Sequence, residues 1–217
     1  ETREHHQMEL GLQMALGAPL SAARGFSHRE NEQAYARARE LAYQIGESPE
    51  LPRVLVAMAA AYYVKGNLTT SVEVAQEALA AAERTGDTFD LLSAQEVLGA
   101  ALLNQGHFAR ALQHLDQSIN LYNPSAHGSL AYEVGVDHGV YAHAFASQCH
   151  LYLGHPDRAL AVSEVAVALA RRVEHPLSLA HALCLAGGVH FERRELARNR
   201  ERIEELIALS EHLGFPF

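Results

Sequence analysis

Fourteen histidines are the first residues that invite chemistry. His138, His143 and His150 fall on one expected helix, where His143 and His150, seven apart, share a face; His181 and His190 fall on the helix expected beside it. Zinc asks for three or four ligands converging at about 2 Å, usually with a carboxylate or thiolate among them. The HExxH spacing is absent, so these read as surface or half-buried imidazoles, and no metal or other cofactor is expected. Cys184 could act as a thiol nucleophile, but cysteine is among the residue types most often buried, and burial is the expectation here. A phosphate-cradling loop needs glycines and a lysine; the single lysine, Lys65, closes a helix in Val64-Lys65-Gly66-Asn67. Ser129 lacks the glycine two residues on that a nucleophile elbow requires. The chain therefore reads as not an enzyme, without ATP hydrolysis or cyclase activity of its own.

Arg193, Arg194, Arg198, Arg200 and Arg202 form the one basic cluster, interleaved with Glu192, Glu195, Glu201, Glu204 and Glu205. That pattern predicts i,i+4 pairing on a solvated helix face. A net charge of −9 argues against nucleic acid as partner. No apolar run approaches the ~18 residues of a membrane span and no signal peptide is visible, so membranes are excluded and a cytoplasmic location is expected. Two cysteines are too few for a disulfide framework, which suits a reducing compartment. The first residue is Glu1, not Met, as in a piece of a longer protein.

The elements that would position a site are helices in pairs. Gly25, Gly66, Gly106, Gly154 and Arg194 close the first helix of successive pairs, in steps of 41, 40, 48 and 40. Gly46, Gly86 and Gly214 close second helices, and residue 174 lies 40 before 214. Asn67 and Asp87 stand where N-caps belong, and glycine permits the left-handed residue that ends a helix. A period near 40 in a helical chain means a stacked helix-pair solenoid. Tyr62, Gly66, Leu68, Ser71 and Ala78 occupy the slots of Leu102, Gly106, Phe108, Ala111 and Ser118 one unit later, which is the pattern of a tetratricopeptide repeat with longer helices. Leu10, Met14, Leu16 and Leu20 give the first helix an apolar face, and Ala34, Ala38, Leu41 and Ile45 stripe the second. Pro19 should kink or restart the first helix.

The fold class expected is all-α: a right-handed superhelical solenoid of about five antiparallel helix pairs in one domain, 1–217. The repeats cover about 4–46, 49–86, 87–122, 138–174 and 175–214, with an insertion at 123–137. The insertion carries Leu130, Tyr132, Val134 and Val136 in alternation, too apolar for a spacer. It should be ordered, with Leu130 and Tyr132 against the third and fourth hairpins and Asp137 capping the next helix through the amide of residue 139 or 140. Phe215 and Phe217 should fold back on the last hairpin or continue into a further segment.

Longer stretches add a resemblance. Ala34-Tyr35-Ala36-Arg37-Ala38-Arg39-Glu40-Leu41, Tyr122-Asn123-Pro124, Gly135-Val136-Asp137-His138-Gly139, Leu153-Gly154-His155-Pro156-Asp157-Arg158-Ala159-Leu160, His175-Pro176-Leu177-Ser178 and Gly214-Phe215-Pro216-Phe217 resemble the tetratricopeptide region found C-terminal to an AAA-type ATPase module in multidomain bacterial signalling proteins. Many such proteins carry a class III adenylate/guanylate cyclase or a kinase domain at the N-terminus. Where that pattern expects Asp-Pro-Gly, this chain has His138 in the middle, and where Trp or Leu is frequent it has His150. The resemblance implies a regulatory domain whose output lies outside this chain.

In a solenoid of this type the first helix of each pair lines the concave side. The template places Arg53, Val56 and Tyr63 there, with Glu96, Leu103 and Asn104, then Tyr141, Gln148 and Tyr152, then His181 and Phe191. Tyrosine and arginine are frequent interface anchors. The function expected is non-catalytic binding of a peptide, protein or small ligand in that groove, the partner including other domains of the same polypeptide, with homo-oligomers compatible. The alternatives are a structural oligomerisation arm using the outer faces and, third, a metal- or thiol-dependent enzyme.

Overall fold

The computed structural model describes residues 2–24, 29–46 and 48–214. Ten long helices pair as α1 (Arg3–Arg24) with α2 (Arg29–Ile45), α3 (Leu51–Val64) with α4 (Leu68–Thr85), α5 (Thr88–Asn104) with α6 (Phe108–Leu121), α9 (His138–Tyr152) with α10 (Pro156–Val173), and α11 (Pro176–Glu192) with α12 (Leu196–Leu213). Between α6 and α9 lie two single-turn helices, α7 (Pro124–His127) and α8 (Ala131–Val134), joined by a 3-10 turn at Gly128–Leu130. The chain is thus an all-α helix-pair solenoid, in which no described helix is long and apolar enough to cross a membrane. Beyond each pairing, α3 packs on α5, α5 on α9 and α9 on α11, so the first helices of the second to fifth pairs form one continuous layer.

The turns explain the period. Gly66, Gly106, Gly154 and Arg194 all have positive φ, at 76, 82, 83 and 63°. Each is followed by an amide that reaches back five residues: Asn67 to Tyr62, His107 to Leu102, His155 to His150 and Glu195 to His190, at 2.8–3.0 Å. Those bonds satisfy carbonyls that a helix end otherwise orphans. Gly46, Gly86, Glu174 and Gly214 close the second helices, again at positive φ. Asp87 accepts from the amide of Asp90 at 2.9 Å, but Asn67 makes no side-chain cap; its carbonyl accepts from Ser71 instead.

Within pairs, small residues let helices cross closely. Ser71 and Ser118 are fully buried and donate to the carbonyls of Ala59 and Leu92, both at 2.8 Å, across their hairpins. A Cβ on Gly99 would lie 2.6 Å from Leu115, so only hydrogen fits there. The stripe Ala34, Ala38, Leu41 and Ile45 is buried as expected, and so is Leu10, whereas Leu16 is half exposed. α1 continues as one helix through Pro19. The expectations placed on the side chain of Leu20, on Gly25 and on Phe215 and Phe217 lie outside the described residues.

Candidate functional site

The concave layer carries an apolar pocket of about 250 Å³. Six of the groove residues expected from sequence line it together: Arg53, Val56, Tyr63, Glu96, Tyr141 and His181. Helices α3, α5, α9 and α11 supply them, because positions three, four or seven apart on each first helix face the same side. Ala57 and Ala60 extend the wall from α3, Val97 and Ala100 from α5, and Phe145 from α9. Met14 and Tyr35 close it from the first pair.

A buried polar pair sits in this wall. His138 Nδ1 lies 2.9 Å from Glu96 Oε2, with Glu96 only 4% and His138 6% exposed. A carboxylate so far from water needs a donor, and His138, at the position where the resembled pattern has proline, provides it. The edge of His138 meets Phe89 at 5.6 Å between ring centroids. The Arg53 guanidinium lies over Phe89, 5.6 Å from its centroid, while Nε donates to Asp90 Oδ1 at 2.8 Å. Burial raises the Asp90 carboxyl, against the pull of Arg53 in the other direction.

Aromatic rings form the opposite wall. Tyr141 and His181 stack in parallel, with centroids 3.9 Å apart at 6°. Tyr63 and Tyr141 both meet Phe145 edge-on, at 6.1 and 6.0 Å. Burial holds His181 neutral, its pKa lowered to about 4, and its Nε2 is buried without a hydrogen-bond partner. Burial, then the neighbouring negative charge of Glu96, raises both the Tyr63 and Tyr141 hydroxyls.

The insertion covers this pocket. Glu133, Val134 and Val136 line it, and α8 packs against α1 from the far end of the chain. Asp137 accepts from the amide of Val140 at 2.8 Å and from the Tyr122 hydroxyl at 2.7 Å, while its own amide donates to Ser178 Oγ at 2.8 Å. Cap, insertion and fifth pair are thereby tied at one buried residue. Gly139 completes the seat, since a Cβ there would fall 2.5 Å from the Tyr122 ring. The expectation for Tyr132 is corrected: it is 62% exposed, its hydroxyl donates to the Glu174 carbonyl at 2.9 Å, and its ring meets His175. The helical turns replace the alternation, so Ala131 is buried, Leu130 is half-buried, and Val134 and Val136 reach the pocket.

The remaining groove residues lie elsewhere. Asn104 donates to the Tyr63 hydroxyl at 3.3 Å and to the Ala100 carbonyl at 3.0 Å, outside the pocket. Gln148 ties α9 to α11 through the Leu185 carbonyl at 3.0 Å, and Leu103 is core. Tyr152 packs on Phe108 but is 54% exposed, and Phe191 is 53% exposed.

The histidines of α9 and α11 do not converge. His138 pairs with Glu96, His143 Nδ1 bonds the Gly139 carbonyl, His181 stacks on Tyr141, and His190 Nδ1 lies 2.7 Å from Glu195. Cys184 is exposed rather than buried, on the side of α11 that also carries the exposed Phe191, seven residues on. The arginine cluster pairs both across helices and locally, but not at i,i+4: Arg202 donates to Glu164 on α10 at 2.6 Å and Arg193 to Asp157 at 2.8 Å, while Arg198 meets Glu201 and Arg202 meets Glu205 at i,i+3. The packing of α11 on both α10 and α12 brings the cross-helix partners together where sequence spacing alone does not.

Sequence reasoning missed Met14, Tyr35, Phe89, Phe145, His138 and the insertion valines. Phe89, Phe145 and His138 were within reach, lying seven before Glu96, four after Tyr141 and three before Tyr141. Met14 and the valines were not, since they meet only through the curvature of the whole coil.

Comparison with known proteins accords with this architecture. A family model described as tetratricopeptide repeat matches residues 50–123, the stretch containing α3 to α6. No curated protein sequence matches. Among solved structures, a Rap protein complexed with Competence and Sporulation Factor is similar at TM-score 0.77 and 15% identity, over 95% of this chain and 55% of that one. Aspartyl phosphate phosphatase F from Bacillus subtilis is similar at TM-score 0.67 and 13% identity, over 98% and 53%. A Podospora anserina putative kinesin light chain with nearly identical TPR-like repeats is similar at TM-score 0.59 and 17% identity, over 93% and 94%. This chain spans about half the length of the first two. It is a helix-pair solenoid with a tetratricopeptide-repeat region at its second and third pairs.

Proposed function

We propose that this chain is a non-catalytic sensor domain of a larger bacterial signalling protein, acting as one unit over residues 1–217. It binds a peptide, a protein segment or a small ligand in the concave pocket and so biases an ATPase or cyclase output elsewhere in the polypeptide. The observation that carries the reading is the convergence of Arg53, Tyr63, Glu96, Tyr141 and His181 on one covered cavity. A polar pair buried among aromatic rings is costly to build for packing alone, and sites with few polar groups in an apolar cleft suit ligands. The Rap structure, complexed with Competence and Sporulation Factor, is a solenoid neighbour that supports a peptide or protein partner. The resemblance noted in the sequence supports the signalling context.

The test is residue-resolved NMR of the chain against panels of short peptides and small metabolites. Ligand-induced shifts are expected at Tyr63, Glu96, Tyr141 and His181, and Tyr63→Ala with Tyr141→Ala should abolish them while helical content persists. Shifts confined to the outer helices α4, α6 and α10, together with concentration-dependent self-association, would favour the oligomerisation arm instead.

A further inference from the structure

We infer that the pocket takes an organic cation, an ammonium or guanidinium group carried on an apolar body, with its charge seated beside Glu96. This inference rests on the binding role proposed above and adds the chemistry of what is bound.

Charge and desolvation select what the cavity takes. Three lining side chains carry formal charge: Arg53, Glu96 and Glu133. Arg53 is already engaged by Asp90 at 2.8 Å, which leaves the two carboxylates as the net field of the cavity. His138 meets Glu96 through Oε2, and a carboxylate with about four acceptor positions has capacity beyond one such bond. Glu96 is already withdrawn from water at 4% exposure, and a buried carboxylate met by one donor carries a desolvation cost that is not fully offset. An anion would add repulsion, and a neutral apolar group would leave that cost standing; a cation offsets it. Tyr63, Tyr141 and Phe145 add aromatic rings to the lining, a class of group that favours positive charge. Small apolar residues such as Ala57, Ala60 and Ala100 leave room for an aliphatic or phenyl body. A volume of about 250 Å³ suits one small molecule or one or two side chains, not a folded partner.

Three isosteric probes separate the cases: 4-phenylbutylamine, 4-phenylbutanol and 4-phenylbutyrate, titrated calorimetrically into the full chain and into Glu96→Gln. Glutamine keeps an oxygen to accept from His138 and removes only the charge. The amine is expected to bind about 10-fold tighter than the alcohol, with the acid weakest. In Glu96→Gln the amine should fall to the level of the alcohol, whose own affinity changes less than about twofold. Glu133→Gln, at an exposed rim position, should cost the amine less than about threefold. Equal affinities, or the acid binding tightest, with alcohol binding intact would overturn the cation and leave the pocket standing. Failure of all three probes would count against the pocket itself. Should Glu96→Gln not fold, the charge order on the unmodified chain decides alone. An apolar pentapeptide with one central lysine, compared with its norleucine counterpart, then tells a peptide-borne cation from a free amine by which form shows the greater dependence on Glu96.

Discussion

The stretch of the concave face around the cavity and the stretch at the C-terminal ends of α9 and α11 use equivalent positions of one repeat, yet they differ in kind. In the first, Tyr63 and Tyr141 sit half-buried around a cavity with a buried polar pair in its wall. In the second, Phe191 lies open, as does Tyr152 at the end of α9. The repeat supplies aromatic residues to both. What separates them is cover: α8 of the insertion and α1 of the first pair meet over one stretch and not the other. A groove position becomes a site here when something outside its own repeat closes over it.

The largest effect expected from breaking this difference is at Gly139. Gly139→Ala drives a methyl into the Tyr122 ring and strains its bond to Asp137, at a cost of about 3 kcal/mol, the upper range for overpacking. Gly188→Ala on the open α11, whose nearest neighbour is Gln148 Nε2 at 3.9 Å, should be neutral or stabilise by about 0.5–1 kcal/mol through helix propensity. Chemical denaturation of the two variants side by side checks the contrast.

Acid should strike the covered region next. His181 has a folded pKa of about 4 against an ordinary value of 6.5, so the unfolded chain takes up its proton first as pH falls. The stability it contributes is fully present above 6.5 and is lost between 6.5 and 4, up to about 3 kcal/mol. Burial lowers His143, His150 and His175 as well, in the same sense. His181→Phe, which retains a ring against Tyr141, should flatten the dependence of Tm on pH over that window; an unchanged slope would count against a buried neutral imidazole.

Binding should divide along the same line. Tyr63→Ala or Tyr141→Ala is expected to cost about 2 kcal/mol of affinity for 4-phenylbutylamine, whereas Tyr152→Ala and Phe191→Ala should cost less than about 0.5. Equal losses from all four would mean that the groove works along its whole length and that cover is incidental.

The smallest effect tests the turns on which both walls depend. Arg194 adopts φ 63° in a slot where the other pairs have glycine. Arg194→Gly removes a left-handed strain of about 1–2 kcal/mol but adds backbone freedom to the unfolded chain. A net gain of about 1 kcal/mol is expected, read as a higher Tm.

Much of this solenoid was legible in its turns. Glycines at 66, 86, 106 and 154 mark left-handed residues because that conformation selects them, and spacing alone assigned the same role to Arg194 and position 174, where residue type gives no hint. Helix phase likewise brought six groove residues to one cavity. The pairing of Glu96 with His138 was not legible, since it joins residues 42 apart through the stacking of α5 on α9. Nor was the burial of Val134 and Val136 in the pocket, because a strand-like alternation turned out to be a single helical turn. Local rules read punctuation well; they do not reveal which turn of a coil will lie under which.

The contact between α1 and α8 also makes the chain between them a closed mechanical circuit. Tension that straightens the coil must part those helices before it stretches the pairs inside, and the pocket opens at the same moment. A molecule filling the cavity adds bonds across that seam and resists the parting. On the binding role proposed above, occupancy converts into stiffness, and a pulling experiment on the ends of the chain should register the ligand as a raised threshold for the first extension step.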